Sequence, residues 1–161
     1  MTIQEKYKLK GSLNISGDKS ISHRSVIMGA MAIGQTEIHN LLESKDIMST
    51  INILKKLGVK IKRSKGVWII NGVGTCGFKQ PSQKLDAGNS GTTSRLMFGA
   101  VATNPIYTVF IGDKSLSTRP MSRVTNFLED MGVKIELTKK NYLPISIQGT
   151  QNCLPLKHII T

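Results

Sequence analysis

The feature of this sequence that most constrains its fold is an internal repeat. Residues 45–62 (KDIMSTINILKKLGVKIK) align with residues 119–136 (RPMSRVTNFLEDMGVKIE) at a constant shift of 74, and both segments contain GVKI. Upstream, residues 17–30 (GDKSISHRSVIMGA) resemble residues 88–100 (GNSGTTSRLMFGA) at a shift of 71, a difference that one loop can absorb. Similarity at a fixed spacing predicts two copies of one structural unit.

Both copies have the residue pattern of the order β-α-β-α-β-β. In the first copy the pattern predicts a strand near 8–15, a helix at 20–33 that stops at Gly34, a strand at 36–41, a helix at 45–57 capped by Gly58, and a hairpin of 59–63 with 67–71. In the second copy it predicts a strand at 84–86, a helix at 91–103, a strand at 106–111, a helix at 119–131 with Pro120 in its first turn, and strands at 133–137 and 143–148.

The repeated order predicts an α/β fold, in which helices cover a sheet. The expected division of the chain is an N-terminal strand and linker (1–16), a first unit (17–84), a second unit (85–150) and the truncated start of a third unit (151–161).

Composition excludes several classes of protein. The best apolar run, residues 26–34, is far shorter than the ~20 residues that a membrane helix needs. The N-terminus lacks the apolar core of a signal peptide. Cys76 and Cys153 lie far apart and form no redox or metal-binding motif, so both are expected to be reduced thiols of a cytoplasmic protein.

The charge of the chain favours anionic partners. Its net charge is +12, but most of the positive residues are lysines, which we interpret largely as solvated surface. The scarce arginines carry more information, because a guanidinium is a planar fork of donors that suits carboxylate and phosphate groups. Four of the five lie in polar, turn-like stretches: Arg24, Arg95, Arg119 and Arg123.

Each predicted unit begins with a strand, a glycine-led polar turn and a helix. The unpaired N–H groups at a helix N-terminus carry partial positive charge and accept phosphate or carboxylate readily. The first turn adds Lys19, Ser20 and Arg24, and in the second Gly91 lets an anion approach the backbone closely because no Cβ intervenes. Further donors of the second turn are Asn89, Thr92, Thr93 and Arg95.

Simpler interpretations of these residues stay open. Ser20, Ser90 and Thr92 are equally typical of plain helix caps. His23 is adjacent to Ser22, but neighbouring helical residues point in different directions, so a nucleophile–base pair is not expected. The carboxylates near the turns, Asp46 and Asp113, are interpreted as solvated loop residues rather than as general acids or bases, and no His/Cys cluster has metal spacing.

Four motifs together resemble the N-terminal part of the 3-phosphoshikimate 1-carboxyvinyltransferase (EPSP synthase) family. They run through nearly the whole chain in the family's order: GDKSISHRS, LLESKDIMSTINILKKLGVKI, DAGNSGTTSRLMFG and GDKSLSTRPM. The resemblance implies an inside-out α/β barrel, in which three β-α-β-α-β-β units form each of two similar domains. It also implies transfer of the carboxyvinyl group of phosphoenolpyruvate to the 5-hydroxyl of shikimate 3-phosphate, with release of phosphate and without a metal or organic cofactor.

The resemblance further implies roles for individual residues. Lys19 would contact both substrates as the catalytic residue. The shikimate 3-phosphate ligands would be completed by Ser20 and Arg24, and the phosphoenolpyruvate ligands by Gly91 and Arg119. Asn89, Thr92 and Arg95 would shape the second loop.

The same resemblance covers two of six units, so a truncated or split enzyme that is inactive alone is expected, and a complementing C-terminal polypeptide is one way to complete it.

The nearest rival is a related UDP-N-acetylglucosamine enolpyruvyl transferase, but the loop cysteine that this family has before Arg-Pro is missing from GDKSLSTRP. Two further hypotheses, a basic nucleic-acid-binding module and a non-catalytic gene remnant, come from different classes of protein. The expected partners are small anions, and neither nucleic acid nor a membrane is expected as a partner.

Overall fold

A computed structural model describes residues 10–139 and 141–157. Its elements, in chain order, are α1 (Lys19–Met31), β1 (Ile33–Ile38), α2 (Lys45–Lys56), β2 (Lys60–Ser64), β3 (Val67–Val73), β4 (Leu85–Asp86), α3 (Gly91–Ala102), β5 (Tyr107–Ile111), a short 3₁₀ helix (Leu116–Thr118), α4 (Ser122–Asp130), β6 (Lys134–Lys139) and β7 (Tyr142–Gln148).

The strands form two sheets with matching topology. The first has the order β1-β3-β2 and the second the order β4-β5-β7-β6, so in both the last strand of the unit lies between the two strands that precede it. These neighbours pair antiparallel, whereas β4 pairs parallel with β5. The predicted α/β class is confirmed, and the residue limits proposed for the individual units stay a prediction.

Helix α2 forms where the apolar spacing predicts it. The hydroxyl of Ser44 accepts the N–H of Ile47 at its N-terminus, and Ile47, Ile51 and Leu54 are fully buried along one face. Gly58 follows the helix with φ of 90°, a left-handed conformation that glycine adopts without a Cβ clash.

The predicted hairpin between β2 and β3 is also confirmed. Ser64 pairs with Val67 across a two-residue loop, in which Lys65 and Gly66 have φ of 48° and 82°. Positive φ at both central residues gives a turn that matches the right-handed twist of the flanking strands. The Lys-Gly pair adopts this conformation, which glycine accepts without strain.

The strand that was expected at residues 36–41 lies at Ile33–Ile38 instead. It pairs with β3 from Ile33 opposite Val73 to Ile38 opposite Trp68. Gly34 therefore lies inside β1 and does not terminate α1, which ends before it at Met31.

The strand expected near 8–15 is not formed by residues 10–15, and residues 8 and 9 lie outside the described part of the chain. Leu13 and Ile15 are 84% and 74% exposed. A strand requires a backbone partner, and among the described residues no neighbouring strand pairs with this segment.

Pro120 precedes α4 rather than opening it. The residue before it, Arg119, has extended dihedrals (φ −91°, ψ 129°), because a proline ring disfavours the helical region for its predecessor. The chain therefore leaves the 3₁₀ helix at Thr118 and starts α4 only at Ser122, not at residue 119.

The buried side chains of both units form one contiguous core. Phe98 of α3 contacts Phe110 of β5 edge to face, with ring centroids 4.8 Å apart. Asn104, which is fully buried, joins the units through its side-chain amide. Its Oδ1 accepts the backbone N–H of Phe78 at 3.0 Å, and its Nδ2 donates to the backbone carbonyls of Thr75 and Ala100. In the described ranges, no helix has the length and apolar character needed to cross a bilayer.

A glycine at the end of each unit lets the last strand pass close to the end of the first helix. A Cβ at Gly72 would press on the carbonyl oxygens of Gly29 and Ala32 in α1 and its cap. A Cβ at Gly149 would press in the same way on the carbonyl oxygens of Val101 in α3 and of Asn104 just after that helix. The close contact at both glycines is a further similarity between the two units.

Substitution Gly149→Ala should lower the free energy of unfolding by about 1–3 kcal/mol, because the methyl group meets fixed backbone oxygens. Gly99→Ala is the matched control: a Cβ there meets nothing within 4 Å, so the helix should gain up to ~1 kcal/mol. Urea denaturation of both variants measures the difference. Equal stability of the two variants would contradict the close approach.

Candidate functional site

The N-termini of three helices lie together at one side of the fold. Lys19, the first residue of α1, forms an ion pair with Asp46 in the first turn of α2. The hydroxyl of Thr93, in the first turn of α3, lies 3.2 Å from the carbonyl oxygen of the same Asp46. Because each N-terminus carries partial positive charge, this region favours anions.

The first predicted turn is held by its own cap. The Asp18 carboxylate accepts the N–H of Ile21 at 2.8 Å and fixes the start of α1. Lys19, which is half exposed, is oriented by Asp46, so the interpretation of Asp46 as a solvated loop residue was wrong. Ser20 is exposed, and its hydroxyl has no hydrogen-bond partner in the described part of the chain.

Arg24, one turn further along α1, faces α3. It lines a shallow cavity of about 260 Å³ with Leu96 and Gly99 of that helix. Arg24 is exposed, and no carboxylate of the described residues pairs with its guanidinium.

The second predicted turn places two guanidinium groups beside Gly91. A Cβ at this buried glycine would lie 3.0 Å from Nη1 of Arg95 and 3.6 Å from Nη1 of Arg119. As the first residue of α3, Gly91 has an N–H without an intrahelical acceptor. Both arginines and one backbone donor therefore surround a position where glycine leaves room.

Arg119 is oriented by a chain of polar side chains. Its Nη2 donates to Oδ1 of Asn89 at 2.8 Å, and Nδ2 of Asn89 donates to Oδ2 of Asp113 at 2.6 Å. The backbone N–H of Leu116, the Asn89 amide, the N–H of Ser115 and the Arg119 charge hold the pKa of Asp113 below its ordinary value, although desolvation opposes them. The carboxylate is thus an ionised anchor.

The sequence analysis did not identify Asp113 as a residue that orients others, although a repeated tetrapeptide indicates this role. The tetrapeptide GDKS occurs at residues 17–20 and again at 112–115. In both copies the aspartate accepts the N–H three residues further on, at 2.8 Å for Asp18 and at 2.7 Å for Asp113.

Arg95 is the least satisfied donor of the site. Its Nη2 donates to the carbonyl oxygen of Pro120 at 3.2 Å. Its Nε is buried and has no hydrogen-bond partner among the described residues. A buried donor without a partner is unfavourable unless a ligand or water completes it, so this atom marks a place for an acceptor.

Four buried side chains connect the two turns through the core. Nδ1 of His23 lies 2.9 Å from Oγ1 of Thr50, which lies 2.9 Å from Oγ1 of Thr93, which lies 2.8 Å from Oγ of Ser90. Ser90 is the N-cap of α3 and accepts the N–H of Thr93 at 3.1 Å. We call this set the hydroxyl chain.

The hydroxyl chain was not predicted from the sequence. In agreement with the sequence analysis, His23 forms no pair with Ser22, whose hydroxyl oxygen accepts the N–H of Leu42 at 3.1 Å. Ser90 and Thr93 hold the second loop, whereas Thr92 is exposed and its hydroxyl has no partner among the described residues. The role expected for Thr92 stays a prediction.

Comparison with known proteins finds one family. A family model described as EPSP synthase (3-phosphoshikimate 1-carboxyvinyltransferase) matches residues 3–159. Proteins named 3-phosphoshikimate 1-carboxyvinyltransferase from Novosphingobium aromaticivorans and Parvibaculum lavamentivorans are 45% and 43% identical to it, over 93% and 98% of the chain. These alignments cover 34% and 35% of those proteins, so the chain spans about a third of the length of the curated relatives it matches.

A solved structure agrees with the sequence comparison. EPSP synthase from Acinetobacter baumannii matches with a TM-score of 0.87 and 40% identity, over 92% of this chain and 34% of that one.

The buried His23 predicts a pH dependence of stability. Desolvation lowers its pKa below the ordinary value of 6.5, with Lys19 adding to the effect and Asp46 opposing it. The unfolded chain therefore takes up more protons as the pH falls through about 6.5, and stability decreases until the folded pKa is passed as well.

His23→Gln should therefore reduce the loss of unfolding free energy between pH 7.5 and 5, measured by urea denaturation across that range. His39→Gln, which removes an exposed imidazole, is the control for the loss of a histidine as such. If the slope of His23→Gln equals that of the parent chain, the proposed cause is excluded.

Proposed function

This chain belongs to the EPSP synthase (3-phosphoshikimate 1-carboxyvinyltransferase) family, and from that premise we propose that it supplies part of a site for carboxyvinyl transfer. In the proposed reaction the 5-hydroxyl of shikimate 3-phosphate attacks phosphoenolpyruvate, and inorganic phosphate is then eliminated. The described residues contribute anion-binding groups for both substrates.

The arrangement around Gly91 is the observation that carries this proposal. The N-terminus of α3 and the guanidinium groups of Arg95 and Arg119 meet at Gly91, and the buried Nε of Arg95 has no hydrogen-bond partner among the described residues. Phosphoenolpyruvate carries both phosphate and carboxylate, for which bidentate guanidinium donors are well suited. We therefore assign phosphoenolpyruvate to Gly91 and Arg119, with Asn89 and Arg95 shaping the loop and the exposed hydroxyl of Thr92 available as a further donor beside it.

Shikimate 3-phosphate is assigned to the start of α1. Ser20 and Arg24 are exposed there without partners among the described residues, so their donors are available to a phosphate. Lys19 is held by Asp46, whose carbonyl oxygen lies 3.2 Å from Oγ1 of Thr93 in the second turn, and we assign Lys19 to both substrates. A fixed ammonium at this position would hold the reacting groups together and stabilise the charge that develops on the departing phosphate.

We also propose a cytoplasmic location, because Cys76 and Cys153 are free thiols and disulfides are rare in that compartment.

Arginine substitutions test the two assignments separately. Arg24→Ala should weaken shikimate 3-phosphate binding about 10- to 100-fold, because a charge-assisted hydrogen bond is lost, and should leave phosphoenolpyruvate binding nearly unchanged. Arg119→Ala should do the reverse. Titration of the chain with each ligand, followed by ¹H–¹⁵N spectra, measures both affinities.

Lys60→Ala is the matched control, since it removes the same charge from an exposed position on β2. If this control weakens both ligands as much as the arginine variants do, binding follows net charge alone, and the two assignments are wrong.

Activity is tested by phosphate release from phosphoenolpyruvate and shikimate 3-phosphate. The 161-residue chain is assayed alone and together with the remaining two thirds of the Novosphingobium aromaticivorans relative. We expect release only from the mixture, and much less when the chain carries Arg119→Ala. Turnover by the chain alone at a normal enzymatic rate would contradict the expected need for complementing residues.

A further inference from the structure

The hydroxyl chain (His23, Thr50, Thr93 and Ser90) is unusually well protected from solvent. His23, Thr50 and Thr93 are 0% exposed and Ser90 is 2% exposed. The hydroxyl chain links α1, α2 and α3, and it ends at Ser90, the N-cap residue directly before Gly91. Because buried polar groups must find partners inside the protein, its members fix one another's orientation.

The supply of protons determines how the hydroxyl chain is ordered. The carbonyl oxygen of Asp46 can only accept, and it lies 3.3 Å from Oγ1 of Thr50 and 3.2 Å from Oγ1 of Thr93. Each threonine has one hydroxyl proton for several neighbours. A proton on Nδ1 of His23 adds a donor to Thr50 and frees the Thr50 proton for Thr93 or the carbonyl oxygen.

The other ring nitrogen of His23 favours the same tautomer. Its Nε2 is buried without a hydrogen-bond partner in the described part of the chain. Buried N–H groups without a partner are rarer than under-satisfied acceptors, so Nε2 is better left as a lone pair than as a donor. Protonation of both nitrogens would create such an orphaned donor.

We propose that His23, as the neutral Nδ1–H tautomer, is a positioning residue that acts through Thr50 and Thr93 to hold Ser90 and thus the N–H of Gly91. The proposal rests on the function assigned to Gly91 above, and it gives the buried imidazole a role that substrate contact does not provide. It also makes the start of α1 and the start of α3 parts of one hydrogen-bonded assembly. The direction of the His23 pKa, lowered by burial, is consistent with a neutral ring.

The first test uses the unmodified chain without ligand. Long-range ¹H–¹⁵N spectra of its imidazoles at pH 7.5 distinguish the two neutral tautomers and the charged ring. We expect the Nδ1–H pattern for His23. An Nε2–H pattern or a charged ring would overturn the proposal.

The second test changes a residue that is distant in sequence from Gly91. Thr50→Val removes the hydroxyl at nearly constant volume, and it should shift the Gly91 amide resonance and weaken phosphoenolpyruvate binding about fivefold, as expected for one lost neutral hydrogen bond. Thr50→Ser keeps the hydroxyl and should restore both. Thr125→Val is the control, because the buried hydroxyl of Thr125 has no partner among the described residues.

These readouts separate the inference from the proposed function. If the parent chain binds no phosphoenolpyruvate, the function assigned to Gly91 fails, while the tautomer of His23 and the Gly91 resonance still decide whether the hydroxyl chain positions this amide. If Thr50→Val leaves that resonance unchanged, or if Thr50→Ser moves it equally, the positioning role of His23 is wrong.

Discussion

The hydrogen bond between the hydroxyls of Thr50 and Thr93 is the contact on which the arrangement of the site depends. It joins α2 of the first unit to α3 of the second, 43 residues apart in sequence, and both hydroxyls are fully buried. A hydroxyl buried there without a partner would be costly, so neither helix can slide along the other without losing this pair. The N-termini of both helices are thereby kept at the same side of the fold.

Local patterns predicted those elements whose causes are local. The spacing of Ile47, Ile51 and Leu54 was sufficient for α2, and the sequence of the β2–β3 hairpin was sufficient for its turn. By contrast, the strand expected near residues 8–15 depends on a partner strand, which the sequence of this segment alone cannot supply. Tertiary pairing, which a single sequence does not display, decided that element.

The same division between local and tertiary causes holds for the candidate site. The glycine-led turns and their arginines indicated anion binding because those residue types act through their own chemistry. The hydroxyl chain and the anchoring role of Asp113 escaped prediction, since both require contacts between distant segments: Asn89 meets Asp113 across 24 residues. Only the second GDKS, read as a copy of the first, contained a usable signal.

The two GDKS segments show how one motif serves two purposes in a repeated chain. After Asp18 the helix continues for 13 residues, and its N-terminus remains available to a ligand. After Asp113 the same capping contact starts a 3₁₀ helix of only 3 residues, because Pro120 forces Arg119 into an extended conformation. From this extended residue the Arg119 guanidinium reaches Asn89 and lies close to Gly91. Pro120, which ends the 3₁₀ helix, therefore helps to position Arg119 in the proposed anion site, although it offers no donor of its own.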